Sequence, residues 1–526
     1  MDKESVREKK GETETLFYVE VTPKIPNFPD IQNNEEIDIR YPLIAPYAYA
    51  HIFWDRQNKE LVYYIEEPFL NDNEVKILNV LEEGVRELIN ISFISVKEGE
   101  TVINYLEKNL RVLLDELGIQ LTRNSYLKIM YYIYRDFVGL NEIEPLLWDY
   151  FIEDIECNGI NYPIYIVHRK YRNLRTNITY RSGEKLTSFV EKLAQKCGRY
   201  ISYATPLLDG SLPDGSRVNA SFSEDVSSRG PSFTIRKFTS EPWTPIKLMQ
   251  LGTVSAQMLA FLWILVEYEA NIMIIGGTAT GKTTLLNAVA FFIPPQARIV
   301  SIEDTRELNL QHDNWLPSVA REGVGLTNLI GEKYGEVTLF DLLKESFRQN
   351  PDYVIVGEVR GKEAYVLFQG ISSGHPSLGT MHANSVDTMI KRLETPPINL
   401  SSSLIEALDV VCIMSQTKAK GKDVRRVREI VEIVGIEHSR GITKTPFKWD
   451  PANDSFLFSL EDSHVFKKLM TYHGISKEFI MNEFNLRSRL LISMYNRKIF
   501  DFKKVQEVIS EYYKDPKSVL RKFEVI

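Results

Sequence analysis

A run of eight residues near the middle of the chain carries the sharpest chemical signal. Gly276, Gly277, Thr278, Ala279, Thr280, Gly281, Lys282 and Thr283 match the pattern GxxxxGK[ST]. The apolar stretch Ile272 to Ile275 precedes the run, and the helix-forming stretch TTLLNAVAFF follows its lysine. Glycines let backbone N–H groups turn inward as a nest for phosphate oxygens. The N-terminus of the following helix adds partial positive charge at the same place. Lys282 can reach the β- and γ-phosphates, the Thr283 hydroxyl can ligate Mg²⁺, and Thr284 can assist at the α-phosphate. The pattern predicts binding of ATP with Mg²⁺.

Hydrolysis needs more than binding: a metal-organising acid and a positioned water. Two further apolar stretches end in acids. RIVSIEDTREL (Arg298 to Leu308) delivers Glu303 and Asp304, and NPDYVIVGEVRG (Asn350 to Gly361) delivers Glu358. At the C-terminal edge of an open α/β sheet such residues gather round a ligand. Glu303 is assigned to polarising the attacking water and Asp304 to a structural or Mg²⁺-shell part. Glu358, in a Walker B segment of the form with Glu after Gly, is assigned to water or metal-shell contacts. Thr283, Glu303 and Glu358 are the candidate metal residues. His382 ends the stretch LGTMHA and would hydrogen-bond the γ-phosphate, and His375 is a weaker candidate. Arg360 would pair with a nearby acid or face a neighbouring subunit. Upstream, Arg217, Arg229 and Arg236 are candidates for positive charge that another domain or subunit supplies to the transition state.

Positioning these groups requires strands that alternate with helices. Residues 249–440 show that alternation, in NIMIIG, RIVSIE, YVIVGE, LGTMHA and DVVCIM with helical stretches between. An open, mostly parallel sheet with crossover helices follows. Ahead of it, residues 1–70 read as a polar tail and irregular segment with one short strand, Leu61 to Glu67. Residues 71–139 carry Leu78, Leu81, Val85 and Leu88 at helical spacing and predict a small bundle of three helices. Residues 140–240 are mixed α+β, and 241–248 read as a linker with two prolines. Residues 441–526 read as one β-like stretch and a helical extension.

The chain has 526 residues, 44% apolar and 25% charged, with a formal net charge of −8. It lacks the global basic field of a nucleic-acid binder, and no nucleic acid is expected as a partner. Cys157, Cys197 and Cys412 are far apart without CxxC spacing, which predicts buried thiols in a reducing compartment rather than a zinc site. The charged start MDKESVREKKGETETL has no apolar signal core. The longest apolar run, Met258 to Val266, falls far short of the roughly 20 residues that span a bilayer. Any membrane link is expected through a partner or surface contact.

In order along the chain, the loop at Gly276 to Thr283, the acidic box IEDTREL, the Walker B segment PDYVIVGEVRG and the histidine box GTMHANS resemble the type II/type IV secretion ATPase superfamily. The resemblance runs from about Gly139 to Met414. IEDIECNGINYPIYIVHRKY, LPDGSRVNASF, RGPSFTIRKF, DNWLPSVAREG and HANSVDTMIKRLETPP are similar to its archaeal branch. The resemblance implies an α/β fold: a RecA-like P-loop ATPase core, an α+β N-terminal domain and here an additional N-terminal helical region. It implies hexameric rings that hydrolyse ATP at the cytoplasmic face of the membrane. It makes Glu303 the catalytic glutamate, Glu358 the Walker B acid and His382 the histidine-box residue, with Arg217, Arg229 and Arg236 in the region that supplies arginines. The partners it implies are a polytopic membrane platform protein and accessory filament-motor proteins. The archaellum motor ATPase and the archaeal type IV pilus assembly ATPase both fit, with a DNA or substrate translocase of the same superfamily as a further alternative.

Overall fold

The computed structural model describes residues 16–21, 33–88, 99–238, 241–321, 323, 334–419 and 422–526. The expected charged tail, residues 1–15, lies outside them. The chain divides into two compact units, Met1–Phe238 and Thr239–Ile526.

The first unit holds a nine-stranded sheet. Its strands are β1 Asp38–Ile44, β2 Ala48–Asp55, β3 Glu60–Glu66, β4 Ile152–Cys157, β5 Pro163–His168, β6 Arg172–Thr179, β7 Leu207–Ser211, β8 Arg217–Ser221 and β9 Ser232–Arg236. They lie in the order β1-β2-β3-β6-β5-β4-β9-β8-β7. Only β3 and β6 pair in parallel, through Val62↔Arg175 and Tyr63↔Thr176. The sequence suggests one strand before residue 70, and the structure has three. β1 and β2 bury alternate side chains, Tyr41 and Leu43 on one, Ala48, Ala50 and Ile52 on the other. Pro42 breaks the pattern to the eye but is tolerated because β1 is an edge strand.

Helices Asp72–Leu88, Gly99–Glu116 and Arg123–Phe137 form where the spacing predicts. They do not make a bundle of their own. Leu81, Val85, Leu106, Leu110, Ile129 and Met130 share one core with Ile52, Tyr63, Ile155 and Phe233 of the sheet. A helix with one apolar stripe needs a second layer to cover it, and here the sheet is that layer.

The second unit holds another nine-stranded sheet: β10 Ile272–Gly276, β11 Ile299–Glu303, β12 Trp315–Val319, β13 Tyr353–Val359, β14 Ser377–His382, β15 Val410–Ala419, β16 Lys422–Glu437, β17 Arg440–Asp450 and β18 Ser455–Phe458. The order is β12-β11-β13-β14-β10-β15-β16-β17-β18. The first six run parallel and the last three antiparallel. Alternate residues of β10 enter different cores: Ile272 and Ile274 one, Met273 and Ile275 the other. Both faces of the parallel part are therefore covered, as such a sheet requires. This is the expected RecA-like α/β core.

Two expectations change here, on the linker and on the residues after 440, and the longest apolar run finds its place in the core. The segment 241–248 is not a free linker: Thr244 caps helix Pro245–Gln250, and Pro245, Ile246 and Leu248 are buried. Proline at the first helical turn is already set for helix and lacks only an N–H that would be unpaired there. The run Met258 to Val266 forms the buried helix Ala256–Glu267, covered by Leu490, Leu491 and Tyr512 of the C-terminal helices. The residues after 440 are not merely a helical extension, since β17 and β18 continue the sheet and helices Lys477–Asn496 and Phe502–Lys514 complete its core.

Candidate functional site: a phosphate-binding loop ringed by acids

β10 ends at Gly276, and the chain turns through Gly277, Thr278, Ala279 and Thr280 into helix Lys282–Ala290. The turn is tight. A Cβ on Gly276 would lie 2.6 Å from Thr280 Oγ1 and 2.8 Å from the Met414 carbonyl oxygen. Gly281, the helix N-cap, sits at φ 90° and Ala279 at φ 58°, in the left-handed region. Thr280 Oγ1 donates to the Gly277 carbonyl at 2.9 Å, and Lys282 Nζ donates to the same oxygen at 2.9 Å. No side chain caps the helix start. Its first amides are left to a ligand, and an anion satisfies both them and the helix dipole.

Strand order brings the other groups to this edge. β14 pairs with β10 so that His382 is opposite Gly276. β13 lies beyond β14, and β11 beyond β13. A linked series of polar contacts results. Lys282 Nζ is 3.3 Å from His382 Nδ1, and His382 Nε2 is 3.4 Å from Glu358 Oε1. Arg360 donates to Glu358 Oε2 at 2.7 Å and reaches Asp304 Oδ2 at 3.1 Å. Burial pushes Glu358 upward, but the hydrogen bond and charge of Arg360, with His382 and Lys282, outweigh it and hold the carboxyl below its ordinary range. Burial and neighbouring Lys282 push His382 down, so the imidazole is neutral at pH 7.

Glu303 is set apart from this series. It is buried, and Oε1 accepts the N–H groups of Glu307 and Leu308, each at 2.9 Å. Oε2 is buried without a hydrogen-bond partner. Burial raises the carboxyl to about 7, against the two amide hydrogen bonds. It packs on Gly357, where a Cβ would lie 2.9 Å from Glu303 Cγ. The glycine ahead of Glu358 is thus the space that Glu303 occupies.

Arg217, Arg229 and Arg236 lie in the first unit. Arg217 and Arg236 are register partners across β8 and β9. Arg217 makes two hydrogen bonds to Asp209, at 2.7 and 3.1 Å, and Arg236 pairs with Asp154 at 3.1 Å. Arg229 lies over the Tyr162 ring, 4.2 Å from its centroid. His375 does not join the site and packs edge-on against Phe347.

Two neighbours of the loop carried no sequence signal. A Cβ on Gly281 would lie 3.6 Å from Arg425 Cδ and 3.6 Å from Met414 Cε. Both residues sit inside plain β-strands with no motif around them. Among the described residues no group of three or more His, Cys, Asp or Glu could hold a metal by itself. A divalent ion here would need phosphate oxygens and water beside the hydroxyl of Thr283 and the carboxylate of Glu358, which is the usual Mg²⁺ arrangement.

Residues 139–443 match the type II/IV secretion system protein family. The chain belongs to that family. The uncharacterized protein MJ0900 of Methanocaldococcus jannaschii is 36% identical over 517 residues, 93% of this chain and 92% of that one. A second protein of that organism, MJ1287, is 44% identical over 51% of this chain and 97% of its own length. The conjugal transfer protein TrbB of Rhizobium radiobacter is 31% identical over 49% of this chain and 75% of its own length. The matched span takes in β4 to β9 as well as the phosphate loop, so the three arginines and the acids fall within one matched length of chain. The family is one of secretion ATPases. Among the described residues no helix is long and apolar enough to cross a membrane.

Proposed function

We propose that the chain hydrolyses ATP with Mg²⁺ as a subunit of a hexameric motor that drives assembly or rotation of an archaeal surface filament. The observation that carries this reading is Glu303: a buried carboxyl with one orphaned oxygen, on β11, with β13 and β14 between it and the strand that leads into the phosphate loop. Such a group is poised to take a proton from water near neutral pH. Lys282 and neutral His382 hold the terminal phosphate. Thr283 and Glu358 would hold Mg²⁺, which would supply charge neutralisation at the phosphate oxygens. Glu303 suits the water better than the metal, because half of its carboxylate is committed to amides. Arg217, Arg229 and Arg236 complete the charge at a site on the same or a neighbouring subunit. The motor works at the cytoplasmic face of the membrane against a polytopic platform protein, with accessory filament-motor proteins. The archaellum motor and the pilus assembly motor both remain within this reading.

The test is phosphate release by the purified chain with and without Mg²⁺. Lys282→Ala and Glu303→Gln should each lower turnover by about 100-fold or more. Turnover that survives Glu303→Gln would remove it as the base. A second reading, a substrate-export or DNA motor, is favoured by the relatives named for conjugal transfer. It predicts salt-sensitive DNA binding, against which the net charge of −8 weighs.

A further inference from the structure

The groups that would handle the terminal phosphate all lie on one side of the loop. Gly276 is opposite His382 on β14, and Glu358 and Glu303 follow on β13 and β11. On its other side Gly276 is opposite Met414 of β15. A nucleotide that puts its last phosphate toward His382 and its first at Thr284 must send its base toward β15 and β16. A narrow slot waits there, between Gly281 and Thr284 of the loop helix and the side chains of Met414, Arg425, Thr253 and Trp243. The β15–β16 pairing shifts register between Ile413 and Met414. Such a bulge re-aims side chains beside a site.

We infer that Trp243 and Arg425 are the nucleobase-contacting residues of this ATPase, and that base entry moves Trp243. The inference rests on the ATP reading above. The slot has room for about 10 Å³, no more than a single water takes, so a base must displace its walls. Helix Lys282–Ala290 and β15 are locked in the core. Trp243 is only partly buried and precedes the helix Pro245–Gln250, and Arg425 is half-exposed on β16. These two can yield. An indole and a guanidinium both offer flat faces on which a base stacks.

The probes are ADP and inorganic tripolyphosphate, which has a run of phosphates and no base. Both are titrated into the full chain while tryptophan emission is followed, and affinity is measured by calorimetry. ADP should change the emission, and tripolyphosphate should compete with ADP yet leave the emission unchanged. Trp243→Phe, which keeps an aromatic ring in the core, should abolish the change caused by ADP. Arg425→Gln should weaken ADP about tenfold and tripolyphosphate by less than about twofold. Equal emission changes from both probes, a change retained in Trp243→Phe, or an equal loss of both affinities in Arg425→Gln would overturn the inference. If neither probe binds the native chain, the ATP reading itself falls, and this inference with it.

Discussion

Glu303 shows how one side chain ties stability to activity. Its carboxyl is buried, and burial raises it to about 7 from an ordinary value of 4.5. A raised acid favours its neutral form in the fold. Its stabilising contribution is complete below about pH 4.5 and is lost as pH rises through about 7. The loss is on the order of 3 kcal/mol. Glu303→Gln, neutral at every pH, escapes it. Thermal melts from pH 5 to 8 should therefore move in favour of Glu303→Gln as pH rises, and parallel curves would count against the buried carboxyl. Turnover has the opposite sign, because a base works only when ionised. kcat/KM of the native chain should rise with pH through about 7. The residue was legible because an apolar stretch delivers it to a strand end. Its commitment to the amides of Glu307 and Leu308, while Asp304 and Glu358 turn to Arg360, was not, since spacing does not reveal which side-chain partners the fold supplies.

At the scale of elements, the acids meet because β11 and β13 are neighbours and Gly357 leaves room between them. Gly357→Ala puts a Cβ 2.9 Å from Glu303 Cγ, closer than packed atoms tolerate. It should cost about 1–3 kcal/mol in urea denaturation and lower turnover through a displaced Glu303. Elsewhere helix Lys477–Asn496 is fastened to helix Ala256–Glu267 by buried Arg487. This residue pairs with Glu267 and Glu483 and lies 5.1 Å from the Trp263 ring centroid. Arg487→Ala leaves both acids facing a void and should cost about 3–5 kcal/mol, read in the same denaturation experiment. The central strands could be read from sequence because, buried on both faces, they are unbroken apolar runs. β12 could not, since Leu316, Pro317 and Val319 are exposed on an edge. Nor could β16, where KDVRRVREI alternates charge with apolar residues and looks like solvated surface.

At the scale of the whole molecule, three arginines lie in one unit and the phosphate loop in the other. Each arginine already has a partner in its own unit: Asp209 for Arg217, Asp154 for Arg236 and the Tyr162 ring for Arg229. Arg236 pairs more loosely than Arg217, with its side chain 65% exposed against 38%, so of these two it is the readier to serve a phosphate. If rings form and arginines act across subunits, turnover per subunit must rise with protein concentration, as assembly completes sites. Mixing then decides between service to its own loop and to a neighbour's. Arg236→Ala and Lys282→Ala should each be nearly inactive alone. In a one-to-one mixed ring, an intact loop on the first can face an intact arginine on the second. About a quarter of head-to-tail interfaces would hold both, and turnover should recover in proportion. If the mixture stays as inactive as its parts while turnover of the native chain is independent of concentration, each loop is served by its own chain and the shared-site motor is excluded.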